Sequence, residues 1–246
     1  MHGDGFGLPA VYVEMQLRFA HRAAMVGTHD FASAVTELTN LHRRLGLGDA
    51  TAVANAWWAR YLDGLAARPN LDDQVRWTLS CAAAPKDPPP PKEAAARVGP
   101  FSVQIEGDTL RTHFTPRPGG EPSPLHPSEL PRRRAELRDV LTEGARQHPG
   151  ARRVRGTSWL YSTAAYRSLF PPAHVASATP AHLVRFQGFS AWGQFLDHRG
   201  DVKANLVARF LDALDGWGGE APWRLFPLPT LTVESPIEVF GLDLVG

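Results

Sequence analysis

Cysteine is almost missing from this chain: Cys81 is the single one in 246 residues. One thiol excludes any disulfide within the chain and suits a reducing compartment. Long apolar runs are missing as well. No stretch approaches the roughly 20 consecutive apolar residues that a membrane span needs. The start, Met1-His2-Gly3-Asp4-Gly5-Phe6, has neither the basic opening nor the apolar core of a signal peptide, so a cytoplasmic location and no membrane partner are expected. Charge of one sign is also lacking. The net charge of +1 gives no global attraction to nucleic acid or acidic lipid, and a nucleic-acid partner is not expected. Lysine is scarce, 3 against 23 arginines, which reads as codon composition rather than chemistry.

Sharp functional motifs are absent too. The chain contains no G-x-G-x-x-G after a strand, no G-x-x-x-x-G-K-[ST], no H-E-x-x-H and no paired C-x-x-C. Gly156-Thr157-Ser158-Trp159-Leu160 lacks the second glycine of a nucleophile elbow. None of the ten histidines pairs with an acid at helical ligand spacing, so no metal site is expected.

What is present is a clear organisation. Residues 10–83 read as helices. Tyr12, Met15, Phe19, Ala23 and Val26 keep helical spacing, and so do Phe31, Val35, Leu38, Leu41 and Leu45. Gly27-Thr28-His29-Asp30 divides the two and supplies a cap, and Gly46 and Gly48 end the second. A third helix carries Val53, Trp57, Tyr61 and Leu65. A fourth starts at Asn70 and carries Leu71, Val75 and Leu79, with Cys81 late in it as a small buried residue. Pro85 and Pro88-Pro89-Pro90-Pro91 then force a break. The expected layout is a helical domain over 1–84, a Pro-rich linker over 85–100 and an α+β domain over 101–246.

In that second part Phe101, Val103 and Ile105, a turn at Glu106-Gly107-Asp108, and Leu110, Thr112 and Phe114 spell a β-hairpin. Pro131 opens a helix to about Gln147. Val154 to Leu160 and Leu183 to Phe186 read as strands, Thr163 to Leu169 and Val202 to Leu214 as helices. Ser235-Pro236-Ile237-Glu238 has the form of a capping box opening a last helix. The fold class is α+β: an amino-terminal helical bundle, then a mixed sheet with flanking helices.

The densest chemistry lies between Gly156 and Asp197, where rings stand beside glycines, hydroxyls and amides, as a pocket wall requires; the same rings would equally serve as core. Strand alternation puts Arg111 and His113 on one face of the hairpin and Arg155, Thr157 and Trp159 on one face of the next strand. If both strands share a sheet, one surface offers a histidine as general base, arginines for an anionic donor, and hydroxyls. A wet, polar strand face is the competing reading. Asp197-His198-Arg199-Gly200-Asp201 reads as a turn. Eleven arginines against five acids between Arg111 and Arg167 read chiefly as a solvated face.

Arg111-Thr112-His113-Phe114, Ser123-Pro124-Leu125, Ser158-Trp159-Leu160, Leu169-Phe170-Pro171 and Leu183-Val184-Arg185-Phe186-Gln187 together resemble the carboxy-terminal domain of GNAT-like bacterial acyltransferases. The resemblance covers roughly residues 108–190 and implies a GNAT-like mixed sheet and an acyl-CoA co-substrate, with no cofactor held permanently. Thr157 stands where that family commonly has a histidine before Ser-Trp-Leu, and the glycine-rich pyrophosphate loop is not visible. The expectation is an acyltransferase-like group-transfer enzyme that uses an acyl-CoA or carrier-bound donor and acts on a small-molecule substrate. Its catalytic group would be His113 as base with Ser158 or Tyr166 polarising or protonating, and Arg155, Trp159, Arg185, Gln187 and Trp192 would contact donor or substrate. The alternative is a non-catalytic module that binds a small molecule or protein through an aromatic pocket. Convergence of His113 and Ser158 on one concave site favours the enzyme; separation across the sheet favours the binder. The oligomeric state is not set by the sequence.

Overall fold

A computed structural model describes residues 8–47, 56–83, 94–116, 119–181 and 186–242. In chain order the elements are α1 (Ala10–Met25), α2 (Phe31–Leu38), α3 (Leu41–Arg44), α4 (Ala56–Ala66), α5 (Leu71–Ala83), β1 (Ala96–Val98), β2 (Phe101–Glu106), β3 (Thr109–Phe114), α6 (Leu130–Gln147), β4 (Arg153–Ser158), α7 (Ala164–Arg167), α8 (Pro172–Ala176), β5 (Thr179–Pro180), α9 (Phe189–Trp192), α10 (Ala204–Asp215) and β6 (Leu231–Pro236). The fold is α+β: helices, and a mixed six-stranded sheet with helices packed on it. Among the described residues, no helix is long and apolar enough to cross a membrane.

The chain groups into two compact units, Met1–Pro91 with His182–Pro227, and Lys92–Ala181 with Leu228–Gly246. This differs from a continuous second domain over 101–246. The reason is the aromatic payload of the later segment: Phe210 on α10 meets Phe19 on α1 with ring centroids 5.7 Å apart, and Trp192 meets Phe19 at 5.9 Å. Rings of this size stabilise most where they bury one another.

In the helical unit α1 is the central element, with Tyr12, Val13, Leu17, Phe19, Ala20 and Ala23 wholly buried. Asp30 caps α2 by accepting from the Ser33 N–H at 2.9 Å, and the Asn70 side-chain Oδ1 accepts from the Asp73 N–H at 2.8 Å ahead of α5. The expected helix from Phe31 to Leu45 is two helices. Thr39 turns extended, φ −116° and ψ 162°, and its hydroxyl donates to the Val35 carbonyl. The Asn40 N–H is taken by the Gln16 side chain at 2.8 Å, so a partner on α1 replaces the lost helical bond. Gly48 and Val53 lie outside the described residues.

In the sheet unit the strand order is β1-β2-β3-β4-β6-β5. Among the described residues only the β3–β4 pair is parallel, as a strand pair joined through a helix (α6) allows; the other pairs are antiparallel. The β2–β3 hairpin turns through Gly107, whose φ of +62° suits a residue without Cβ. Leu137, Val140, Leu141 and Ala145 of α6 join Phe101, Val103, Leu110 and Val154 in one core.

Three expectations change here. The linker does not extend to residue 100, because Ala96–Val98 already pairs with Phe101–Val103 as an edge strand; residues 84–93 lie outside the described ones. A three-residue strand is too short to show a period. Ser235 does not open a helix: β6 runs to Pro236, paired with Arg153, and only a 3-10 turn, Ile237–Phe240, follows. Of the strand expected over Leu183–Phe186, residues 183–185 lie outside the described residues and Phe186 is in no strand.

Gly156 on β4 is there for space. A Cβ on it would collide with the phenol oxygen of buried Tyr161 and lie 2.9 Å from Tyr161 Cζ. Gly156→Ala should therefore lower the unfolding free energy by about 1–3 kcal/mol, as overpacking does. Gly120→Ala, with nothing within 4 Å, should be near neutral. Equal urea midpoints for the two variants would refute this account.

Candidate functional site

The β3–β4 register sets Arg111 opposite Arg155 and Thr112 opposite Gly156. Arg111, His113, Arg155 and Thr157 therefore share one face, joined across β2 and β6 by Gln104, Glu106, Glu234 and Thr232. These groups are engaged with each other. Arg111 pairs with Glu106 at 2.7 Å, and Arg155 pairs with Glu234 and, at 3.9 Å, with Glu106. Arg153 bridges Glu234 at 2.8 Å and Asp108 at 2.7 Å. Partial burial pushes the Glu106 carboxyl up, but the Arg111 and Arg155 guanidiniums outweigh it and hold it below the ordinary range. Asp108 is held down by its hydrogen bond from Arg153. His113 Nε2 lies 3.1 Å from Gln104 Oε1, and the Thr157 and Thr232 hydroxyls are 2.9 Å apart. These ion pairs are screened by solvent and add little stability, so this is a self-neutralising strand face.

Ser158 falls on the opposite face, two residues on from Gly156. Its Oγ accepts from the Leu160 N–H at 3.1 Å, capping the turn Trp159–Ser162. Tyr166 is buried in the sheet core, with ring centroids 5.0 Å from Tyr161, 5.1 Å from Phe170 and 5.4 Å from Phe114. Burial pushes its phenol well above the ordinary value. Trp159 is half-buried at the head of the 3-10 turn. Gln187 and Trp192 belong to the helical unit, where Gln187 is half-buried and Trp192 is completely enclosed. Arg185 lies outside the described residues. His113, Ser158 and Tyr166 thus do not converge, and Trp192 is core rather than pocket wall. Asp197 forms a turn, accepting from the N–H groups of Arg199 and Asp201 at 2.8 and 3.0 Å.

The arginine-rich middle is also tied up. Arg133 binds Glu136 at 2.5 Å and Glu129 at 3.1 Å, Arg134 donates to the Ser168 carbonyl at 3.0 Å, and Arg146 binds Glu143 at 2.7 Å. Among the described residues no group of three or more His, Cys, Asp or Glu side chains could hold a metal ion.

A cleft does exist, in the helical unit between α4 and α5. The two helices form an antiparallel hairpin: Gln74 donates to the Leu65 carbonyl, Trp77 Nε1 to the Tyr61 carbonyl at 3.1 Å, and the Tyr61 and Thr78 hydroxyls are 2.9 Å apart. Trp57, Arg60 and Tyr61 from α4 face Trp77, Ser80 and Cys81 from α5 around a cavity of about 290 Å³. Both triplets have the spacing i, i+3, i+4, which puts three side chains on one helix face. Tyr61 and Cys81 are the buried floor, Trp57 and Trp77 half-buried walls, Arg60 and Ser80 the exposed rim.

The walls are held in place. Trp57 and Tyr61 are parallel to within 9°, with centroids 5.9 Å apart. The Trp77 indole lies against Gly64, where a Cβ would sit 2.6 Å from Nε1, and the Arg68 guanidinium covers its ring at 4.2 Å. Burial pushes the Tyr61 phenol far up, outweighing its hydrogen bond with Thr78. Helical spacing in the sequence marks Trp57 and Tyr61 as residues of one helix stripe and does not single out Arg60, Trp77 or Ser80. The available signal was the repeated form W-x-x-R-Y and W-x-x-S-C on two consecutive helices.

Comparison of the chain with protein-family models, with characterised proteins and with solved structures finds no match.

Proposed function

We propose that this protein is a small-molecule-binding module whose ligand seats in the α4–α5 cleft. The observation that carries this reading is the cleft itself: three aromatic side chains and one cationic rim residue around about 290 Å³. Largely apolar concave walls with a few polar groups are what small-molecule sites have in common. The separation of His113 from Ser158 across the sheet supports binding over group transfer, since a general base must come within hydrogen-bond reach of the proton it takes. Acyl-CoA is too large for this volume. With its one thiol outside any disulfide, such a module suits the reducing cytoplasm.

Flat bicyclic probes of the naphthalene class should raise the melting temperature. A ligand at 100 times its Kd stabilises the folded state by about 2.7 kcal/mol. Ser80→Trp, a change at an exposed rim position, should fill the cleft and remove the shift while leaving the unliganded melting temperature near that of wild type. Unchanged binding in Ser80→Trp would move the site elsewhere, and no shift with any probe would remove the reading.

A further inference from the structure

We infer that the α4–α5 cleft selects a planar aromatic carboxylate, with Arg60 as the residue that sets the preference for an anion; this rests on the binding-module reading. The argument begins with which charges near the cleft are already used. Arg68 is committed to the hairpin itself: it caps the Trp77 ring and donates to the Gly64 carbonyl. Arg76 is paired with Asp73, which also accepts from Asn70. Arg60 makes no ion pair with any described residue, including Asp63 three positions on along the same helix. Arg60 thus lines an apolar slot from an exposed position without a neutralising acid among the described residues, and none of the six lining residues is acidic. An anionic group on the ligand is the complement that this rim lacks.

Shape narrows the class. Trp57 and Tyr61 are parallel within 9°, and a flat ring offers them the most contact area through offset or edge stacking. A guanidinium is a planar fork that binds a carboxylate with two parallel N–H···O bonds. A carboxylate conjugated to an aromatic ring keeps both recognition elements near one plane, so ring and anion can be held together. The volume of about 290 Å³ sits at the lower edge of the range for ligand sites, which suits one or two fused rings rather than a nucleotide or a coenzyme. On the α5 side Ser80 donates its hydroxyl to the Trp77 carbonyl at 2.7 Å, which leaves its oxygen as an acceptor. That oxygen gives an anion no donor, so selectivity falls to Arg60.

Calorimetric titration of the full chain with 2-naphthoate, its neutral isostere 2-naphthamide, and 2-naphthylmethylamine separates charge from shape. Wild type should bind the naphthoate at least tenfold more tightly than the amide, and the amine more weakly still. Arg60→Gln should weaken naphthoate far more than the amide and bring the two to similar affinity; Arg60→Lys should keep part of the preference. Arg60 is exposed, so neither variant threatens the fold. Equal affinity for naphthoate and naphthamide, or a preference that survives Arg60→Gln, overturns this inference while the binding reading stands. Absence of binding by all three probes overturns both.

Discussion

Trp192→Ala is expected to lower the unfolding free energy by about 3–5 kcal/mol, the usual cost of truncating a fully enclosed tryptophan. The ring is completely buried, with centroids 4.9 Å from Phe226, 5.5 Å from Phe210, 5.8 Å from Phe195 and 5.9 Å from Phe19. Its Nε1 donates to the Leu38 carbonyl at 3.1 Å, at the break between α2 and α3. Alanine would leave a cavity that four rigid rings fill poorly. It would also leave a buried carbonyl without that donor, which adds to the loss. Trp192→Phe keeps most of the volume but not the hydrogen bond and should fall between the two. Urea unfolding followed by circular dichroism measures all three proteins. A loss below about 1 kcal/mol for the alanine variant would return Trp192 to the role of an open pocket wall.

Acid should destabilise the protein through His174, with the loss beginning below pH 6.5, above the range of an ordinary carboxylate. This imidazole is completely buried, stacked on Phe170 at 5.4 Å and edge-on to Phe240 at 4.9 Å. Nδ1 is 2.7 Å from the Ser235 hydroxyl, and Nε2 has no hydrogen-bond partner among the described residues. Desolvation disfavours the imidazolium and lowers the pKa from 6.5 to about 4. The folded state therefore binds fewer protons than the unfolded one between those values. Stability from this group is fully present above pH 6.5, falls as the pH drops below it, and is gone near pH 4. The total is about 3 kcal/mol, at 1.36 kcal/mol per unit. His174→Phe retains the ring packing and cannot titrate, and Ser235 keeps a contact to the Pro236 carbonyl. Its urea midpoint should be flatter than wild type from pH 7 to 5, where Glu143, with its pKa held near 2 by hydrogen bonds from Arg146 and Gln147, stays ionised. Parallel pH profiles for wild type and variant would refute the role of His174.

Much of the fold was legible because it is locally encoded. The apolar period of α1, the caps at Asp30 and Asn70, and the alternation on either side of Gly107 each need only neighbouring residues to act. The break after α5 and the α+β class follow from the same kind of signal. The opposed polar and apolar faces of β3 and β4 were legible too, and the structure sets them in one sheet, with Arg111 opposite Arg155 as that reading required.

The rest depends on partners far apart in the chain. The i, i+3, i+4 triplets of α4 and α5 are plain in the sequence, yet only the hairpin that brings Trp77 over Gly64 makes a cleft of them. Strand β6 has little period of its own and exists through its ladder with β4, which also takes Ser235 from a helix cap to the side of His174. The rings from Phe186 to Phe195 suited a pocket wall and a core equally well. Packing against α1 and α10 decided for the core, because apolar area gains most where other apolar area meets it. The sequence by itself determined most of the amino-terminal helices, the hairpin and the chemistry carried on each face of β3 and β4. Tertiary structure alone decided which faces meet, since burial and long-range pairing are properties of contacts that no local period records.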